Sequence, residues 1–376
     1  GNRRRGTMED YIKCIKLFEA EDSYTVNGGI VIQPGEIHQE TAAIEMFYAG
    51  LTHSEKAIIL PTGYKDEMDL IMKAACEVFG GKDALIEKPR MIALINTVSP
   101  LSLDERMLDC LMILAEYGQP AILCPATMLG ATGSISMAGT LASGAAESLA
   151  GIVLAQMIRP GTPVVFGVQS TAADMKGGIT FACAAPEGTL MQGFAANMAK
   201  FYGLPSRGGG CQTDAPVINC QAGYESMLTF SSAYRHGINF VMEAGGVMDS
   251  VNATSFEKML VDFEIIRQVK VSFTPIEVNE ETLNLEEIEE IGHDGTFVTA
   301  ESTMDNFMDL YSPRVGSRIG KGPDYFKQSI DKEMDRLMKK YESNRPELDA
   351  SVREKVKEIL VVSGLPKEEL DKIDAM

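Results

Sequence analysis

FYGLPSRGGGCQTDAPVINCQAGYESMLTFSSAYRHGINFVMEAGG, residues 201–246, contains two glycine-rich turns, Gly208-Gly209-Gly210 and Gly245-Gly246, each where an extended or apolar run gives way to polar residues. Glycine at such a turn permits positive φ or lets a ligand approach the backbone with no Cβ in the way. The plainer reading is a tight helix–strand connection. Between the turns lie Asp214, Gln221, Tyr224 and Glu225, and the apolar run 238–242 ends in Glu243. Polar side chains at the carboxyl end of an apolar strand are what a barrel active site requires. Glu243 and Asp214, two acids expected at neighbouring strand ends, are the leading catalytic candidates.

Outward from this stretch, strand-like and helix-like segments alternate. Apolar spacing predicts helices over 8–21, 36–49, 65–79, 103–117, 136–157, 186–202, 224–236 and 255–270. Strands are expected over 24–33, 56–60, 91–96, 120–124 and 163–168, with two more inside the quoted stretch. Ser99 or Ser102 is placed to cap the helix over 103–117. The helix over 136–157 is rich in Ala, Gly and Ser and carries one acid, Glu147. A lone carboxylate among small residues is costly to bury without a partner, so Glu147 lies either at the helix surface or at a site. Repeated strand–helix–strand units indicate a parallel sheet with right-handed crossovers, and the count suits a (β/α)8 TIM barrel better than a doubly wound sheet. No GxGxxG follows the first strand and no P-loop occurs, so the nucleotide-binding fingerprints are missing.

The barrel domain is expected over 1–275, with an upstream segment missing because the chain opens on Gly1. Residues 276–376 are expected to form an acidic, helical carboxyl-terminal extension packing on the barrel or on another subunit. A net charge of −19 argues against a nucleic-acid partner. Hydrophobic residues make up 45% of the chain, enough for a substantial core, and no apolar run of about 18 residues suggests a membrane span. The seven cysteines show no CxxC and the four histidines no HExxH, so no metal site is expected. The thiols read as reduced and the protein as cytoplasmic.

Five stretches carry a resemblance: SPLSLDERML (99–108), PATMLGATGSISMAGTLASGAAESLAGIVLAQMIRPGTPVVFG (125–167), YGLPSRGGGCQTDAPVINCQAGYE (202–225), GINFVMEAGGVMDSVNATSFEKMLVDFEII (237–266) and GHDGTFVTAESTMDNF (292–307). They resemble the trimethylamine methyltransferase family, in which the fold is a (β/α)8 barrel. The resemblance implies transfer of a methyl group from an amine to the cobalt of a corrinoid (cobalamin) carried by a partner corrinoid protein. Only standard residues occur here, so the likeness is to the branch without pyrrolysine, which includes glycine betaine, carnitine and proline betaine methyltransferases. The chain departs from the family pattern at Glu243, where a histidine is expected, and at Glu301-Ser302, where His-Thr is common.

A quaternary ammonium leaves as a neutral tertiary amine and needs no proton, which agrees with the scarcity of histidine. The task is to hold a cation and aim one methyl in line with the acceptor. Aromatic faces and carboxylates recognise such a cation, and Phe166, Phe181, Tyr224, Glu147, Asp214 and Glu243 are the candidates. A substrate carboxylate would be met by Arg207, Gln169 or backbone N–H groups at Gly208 to Gly210. Gly209, Gly210 and His236 are expected to face the corrinoid. A homo-oligomer is expected. The plainer alternatives are that Phe166 is core, that Tyr224 braces its helix and that Arg207 pairs with a surface acid. Cys211 is not needed as a nucleophile. A barrel lyase or aldolase would use Lys176, and a betaine-binding protein would use no catalytic group.

Overall fold

Among the described residues seven short strands of the two central sheets run parallel, with at least one helix between each and the next. The computed structural model describes residues 3–176, 178 and 180–376; of the expected connection over 169–178, residue 177 lies outside the described residues. In chain order the strands are β1 (Val26–Gly28), β2 (Ala57–Leu60), β3 (Met91–Asn96), β4 (Ala121–Cys124), β5 (Met128–Leu129), β6 (Val164–Phe166), β7 (Thr171–Asp174), β8 (Thr180–Ala182), β9 (Arg207–Gly209), β10 (Phe240–Met242), β11 (Val247–Met248) and β12 (Ala253–Thr254). β1, β2, β3, β4 and β6 pair in that order, all parallel, and β9 pairs in parallel with β10. Phe166 bridges Ser206 in parallel, and its N–H donates to Pro205 O at 2.9 Å, so the two sheets meet there. Among the described residues no pairing joins β1 to β10, so the architecture is mixed α/β with a mostly parallel sheet whose strands do not close into a hydrogen-bonded ring. β5, β7 and β8 form a small sheet beyond the ends of β4 and β6, and β11 and β12 a hairpin beyond β10.

The helices of this part are α1 (Met8–Ala20), α2 (Ala42–His53), α3 (Lys65–Phe79), α4 (Lys82–Glu87), α5 (Glu105–Glu116), α6 (Met137–Ile158), α7 (Pro186–Phe201), α8 (Cys220–His236) and α9 (Phe256–Ser272). Side-chain caps set several starts. The Asp104 carboxylate accepts from Met107 N at 3.0 Å and starts α5, in place of the expected serines. The Asn219 side chain accepts from Ala222 N at 3.1 Å, so α8 begins ahead of the expected 224. α2 begins later than 36 because Pro34 bridges Gly6 and Gly35 N donates to Gly6 O at 2.8 Å, which holds that segment extended. Gly28 and Gly29, at φ +92° and +79°, end β1 well short of the expected 33.

α6 lies on β4. A Cβ at Gly151 would stand 2.3 Å from Leu123 Cδ1, and Ser148 Oγ donates to Leu123 O at 2.9 Å. Its 22 residues are apolar enough, by length and composition alone, to cross a membrane. The small residues that give α6 this composition bring it close to the sheet.

The main core joins the sheet to α1, α2, α3, α5 and α6 through residues such as Tyr11, Phe47, Ile95, Leu123 and Phe166. Beyond Thr274, α10 (Glu280–Leu283), α11 (Leu285–Ile291) and α12 (Glu301–Asn306) bury no residue. α13 (Tyr325–Ser343) packs on α1 and α9, α14 (Ala350–Leu360) on α3, and α15 (Lys367–Ala375) on α2. His53 ties three of these helices together. Its Nδ1 lies 3.2 Å from Tyr341 Oη and its Nε2 2.9 Å from Ile373 O. Burial pushes its pKa down to about 4.

Candidate functional site

A cavity of about 650 Å³ lies inside the curve of the strands, reached by Leu60, Leu94, Asn96, Cys124, Gln169 and Glu243 from successive strand ends. Aromatic rings line it too, among them Tyr24, Phe181, Phe230 and Phe240. A smaller recess of about 20 Å³ adjoins it, sharing Gln169, Phe181 and Gln212.

Arg207 on β9 and Glu243, just past β10, form an ion pair in the cavity wall. Arg207 Nη2 contacts both carboxylate oxygens, Oε2 at 2.5 Å. The Arg207 side chain is 1% exposed and that of Glu243 22%. Burial pushes the Glu243 carboxyl up from its ordinary value, and Arg207 opposes that shift. Glu243 sits at φ +48°, a left-handed conformation that costs a non-glycine residue on the order of 1–3 kcal/mol. Arg207 Nε, Arg207 Nη1 and Gln212 Nε2 are buried and find no acceptor among the described residues. Buried donors are nearly always paired, so these three call for an explanation.

Phe181 and Gln169 stand in the lining. Gly209 lines the recess, where a Cβ would come 2.5 Å from Gln212 Oε1. The remaining candidates lie elsewhere. Asp214 is outside the lining of the cavity: it accepts from Cys183 N at 3.0 Å, Ala184 N at 3.2 Å and Ser250 Oγ at 2.8 Å, so it holds the turn after β8 to the turn between β11 and β12. Glu147 accepts from Thr97 Oγ1, from Ser99 Oγ at 2.8 Å and from Leu101 N at 2.8 Å, clamping the loop after β3 onto α6. Each acid meets the cost of burial by hydrogen bonding to a loop.

Phe166 is fully buried core, its ring 6.1 Å from that of Tyr202. Tyr224 is 63% exposed on α8 and outside the cavity. Gly210 lets two turns touch, since a Cβ there would lie 2.7 Å from Ala244 Cα. His236 ends α8, the helix leading back to the start of β10, so it sits at the opposite end of the strands from Glu243, beside Gly193. Cys211 is fully buried with its thiol pushed far up by burial, which leaves it a poor nucleophile. Lys176 is exposed and outside the lining.

Two contributors escaped the sequence reading. Gln212 adjoins the glycine run, and its polarity beside Cys211 was the available signal. Tyr24, whose hydroxyl donates to Ala244 O at 2.8 Å, sits in a segment with no motif. Among the described residues no group of three or more His, Cys, Asp or Glu could hold a metal ion.

Comparison with known proteins gives this geometry a family. A profile described as "Trimethylamine methyltransferase (MTTB)" matches residues 1–361. The "Glycine betaine methyltransferase" of Desulfitobacterium hafniense is 38% identical over 319 residues, 85% of this chain and 66% of that protein. The "Trimethylamine methyltransferase MttB" of another strain of that species is 29% identical over 272 residues, 72% of this chain and 54% of the relative. "Trimethylamine methyltransferase MttB1" of Methanosarcina acetivorans is 34% identical over 224 residues, 60% of this chain and 45% of the relative. The chain thus spans less than two thirds of the length of the curated relatives it matches. The match over 1–361 shows that the chain belongs to the trimethylamine methyltransferase family.

Proposed function

We propose that this chain carries the substrate site of a methyltransferase that moves a methyl group from glycine betaine to cob(I)alamin held by a partner corrinoid protein. The observation that carries this reading is the set of buried donors without acceptors on Arg207 and Gln212, in the wall of a cavity that also holds Glu243 and several aromatic rings. Unpaired buried donors favour a ligand that brings an acceptor. A betaine brings a carboxylate together with a quaternary ammonium. The Arg207–Glu243 pair suits such a zwitterion, with the guanidinium meeting the carboxylate and Glu243 and the rings of Phe181 and Tyr24 meeting the cation. Of the two relatives from Desulfitobacterium hafniense, the one 38% identical is named a glycine betaine methyltransferase, in agreement with this choice.

The acceptor supplies the nucleophile, so the chain need only bind, orient and shield. As a carbon–nitrogen bond breaks, its electron pair stays on nitrogen and dimethylglycine leaves uncharged at that atom. No proton is required. Arg207 and Gln212 hold the carboxylate end and thereby direct one methyl toward the mouth. We further read the seven parallel strands as part of a (β/α)8 barrel within residues 1–275, and residues 276–376 as its carboxyl-terminal extension. In this account the protein is cytoplasmic and works as a homo-oligomer. The test is binding: calorimetry with glycine betaine should show saturable binding that Gln212→Met weakens, and no heat with any betaine would remove the reading.

A further inference from the structure

Glu243 holds a left-handed backbone position at φ +48°. Hydrogen bonds from several elements hold the turn 243–246 and the strand end before it, among them Ser255 N donating to Gly246 O at 3.0 Å. Gly210 N donates to Met242 O at 2.7 Å, Tyr24 Oη donates to Ala244 O at 2.8 Å, and Gly246 N donates to Asp262 Oδ2 at 2.7 Å. Asp262 lies on α9 one turn from Lys258, and both side chains are completely buried. Lys258 Nζ approaches Asp262 at 2.5 Å and 2.6 Å and also donates to Cys211 O at 3.1 Å. One buried ion pair therefore holds two turns from behind: the one after β9, next to Gln212, and the one after β10, next to Glu243.

Burying two charges is expensive, and an apolar pair of the same volume is often as stable. Stability alone gives little reason for an ion pair here, whereas fixing two backbone turns relative to one another does. We propose that Lys258 and Asp262 are positioning residues, holding the turns 209–212 and 243–246 so that Arg207, Gln212 and Glu243 present one rigid recognition surface. Neither side chain lines the cavity, so both act through the backbone they hold. The statement about substrate rests on the reading given under Proposed function; the statement about backbone geometry does not.

The test compares Asp262→Ala, Asp262→Asn and Lys258→Met with the wild type by crystallography and by titration calorimetry with glycine betaine and with tetramethylammonium. Asp262→Asn keeps an acceptor for Gly246 N and is expected to retain Glu243 near its wild-type φ, with betaine affinity within about threefold of wild type. Asp262→Ala and Lys258→Met are expected to move Glu243 out of the left-handed region, to break its contact with Arg207 and to weaken glycine betaine at least tenfold. Tetramethylammonium, which has no carboxylate, should change by less than threefold. If Asp262→Ala or Lys258→Met folds and keeps both the Glu243 conformation and the Arg207 contact, the proposal is overturned, whatever the ligand does. If Asp262→Ala does not fold, Lys258→Met decides by the same structural criterion. Should the wild type bind no betaine, the functional reading falls while the crystallographic comparison still decides the role of the pair.

Discussion

Arg207→Lys separates the two jobs assigned to Arg207. Lysine keeps a positive charge for Glu243, so the carboxylate is not left buried and uncompensated, but it lacks the planar fork that offers Nε and Nη1. In the native chain Nη2 serves Glu243, while Nε and Nη1 have no acceptor among the described residues. A hydrogen bond to a charged group contributes about 1.5–3 kcal/mol. Losing the recognition of the substrate carboxylate should therefore weaken glycine betaine by roughly 10- to 150-fold. Tetramethylammonium should bind the variant within about twofold of wild type, because the cation meets Glu243 and the aromatic rings, which persist. The assay is titration calorimetry on wild type and variant, with circular dichroism to confirm the fold. Equal weakening of both ligands, or of neither, would refute the assignment of the free guanidinium donors to a carboxylate.

Three other consequences follow from the structure. His53 is buried with its pKa near 4 against an ordinary 6.5, so the unfolded chain takes up the proton first as the pH falls; its contribution is full above 6.5 and declines toward 4, by about 3 kcal/mol. Melting temperatures recorded from pH 7.5 down to 4.5 should fall more steeply for wild type than for His53→Gln, and parallel curves would contradict this. Glu147→Gln should cost about 1–3 kcal/mol in urea unfolding, because three donors lose a charged acceptor, yet leave betaine affinity unchanged. Gly210→Ala places a methyl against Ala244 Cα, so one of the two turns must shift; we expect a loss of about 1–3 kcal/mol together with weaker betaine binding.

What the sequence disclosed followed from local rules. β3 and β4 read clearly as apolar runs, because a strand buried in a parallel sheet has no polar face to break the pattern. α8 begins ahead of its apolar spacing because the Asn219 side chain caps it at Ala222 N, a signal outside the periodic run. Glu243 was legible as a polar residue at the end of an apolar run, and Arg207 as a donor beside the glycine turn. Asp214 and Glu147 have the same composition cue, but tertiary contacts turned them to backbone N–H and hydroxyl donors instead of the cavity. No local pattern encodes that direction. The orphaned donors of Arg207 and Gln212 were equally invisible, since whether a donor is paired depends on every segment that folds over it.

Methyl transfer to the corrinoid is the most direct readout of the proposed function. The protein, a corrinoid protein reduced to the cob(I)alamin state and glycine betaine should together give the absorbance of methylcobalamin, with dimethylglycine formed in equal amount. An unchanged cob(I)alamin spectrum under saturating glycine betaine, with the substrate recovered intact, would contradict it.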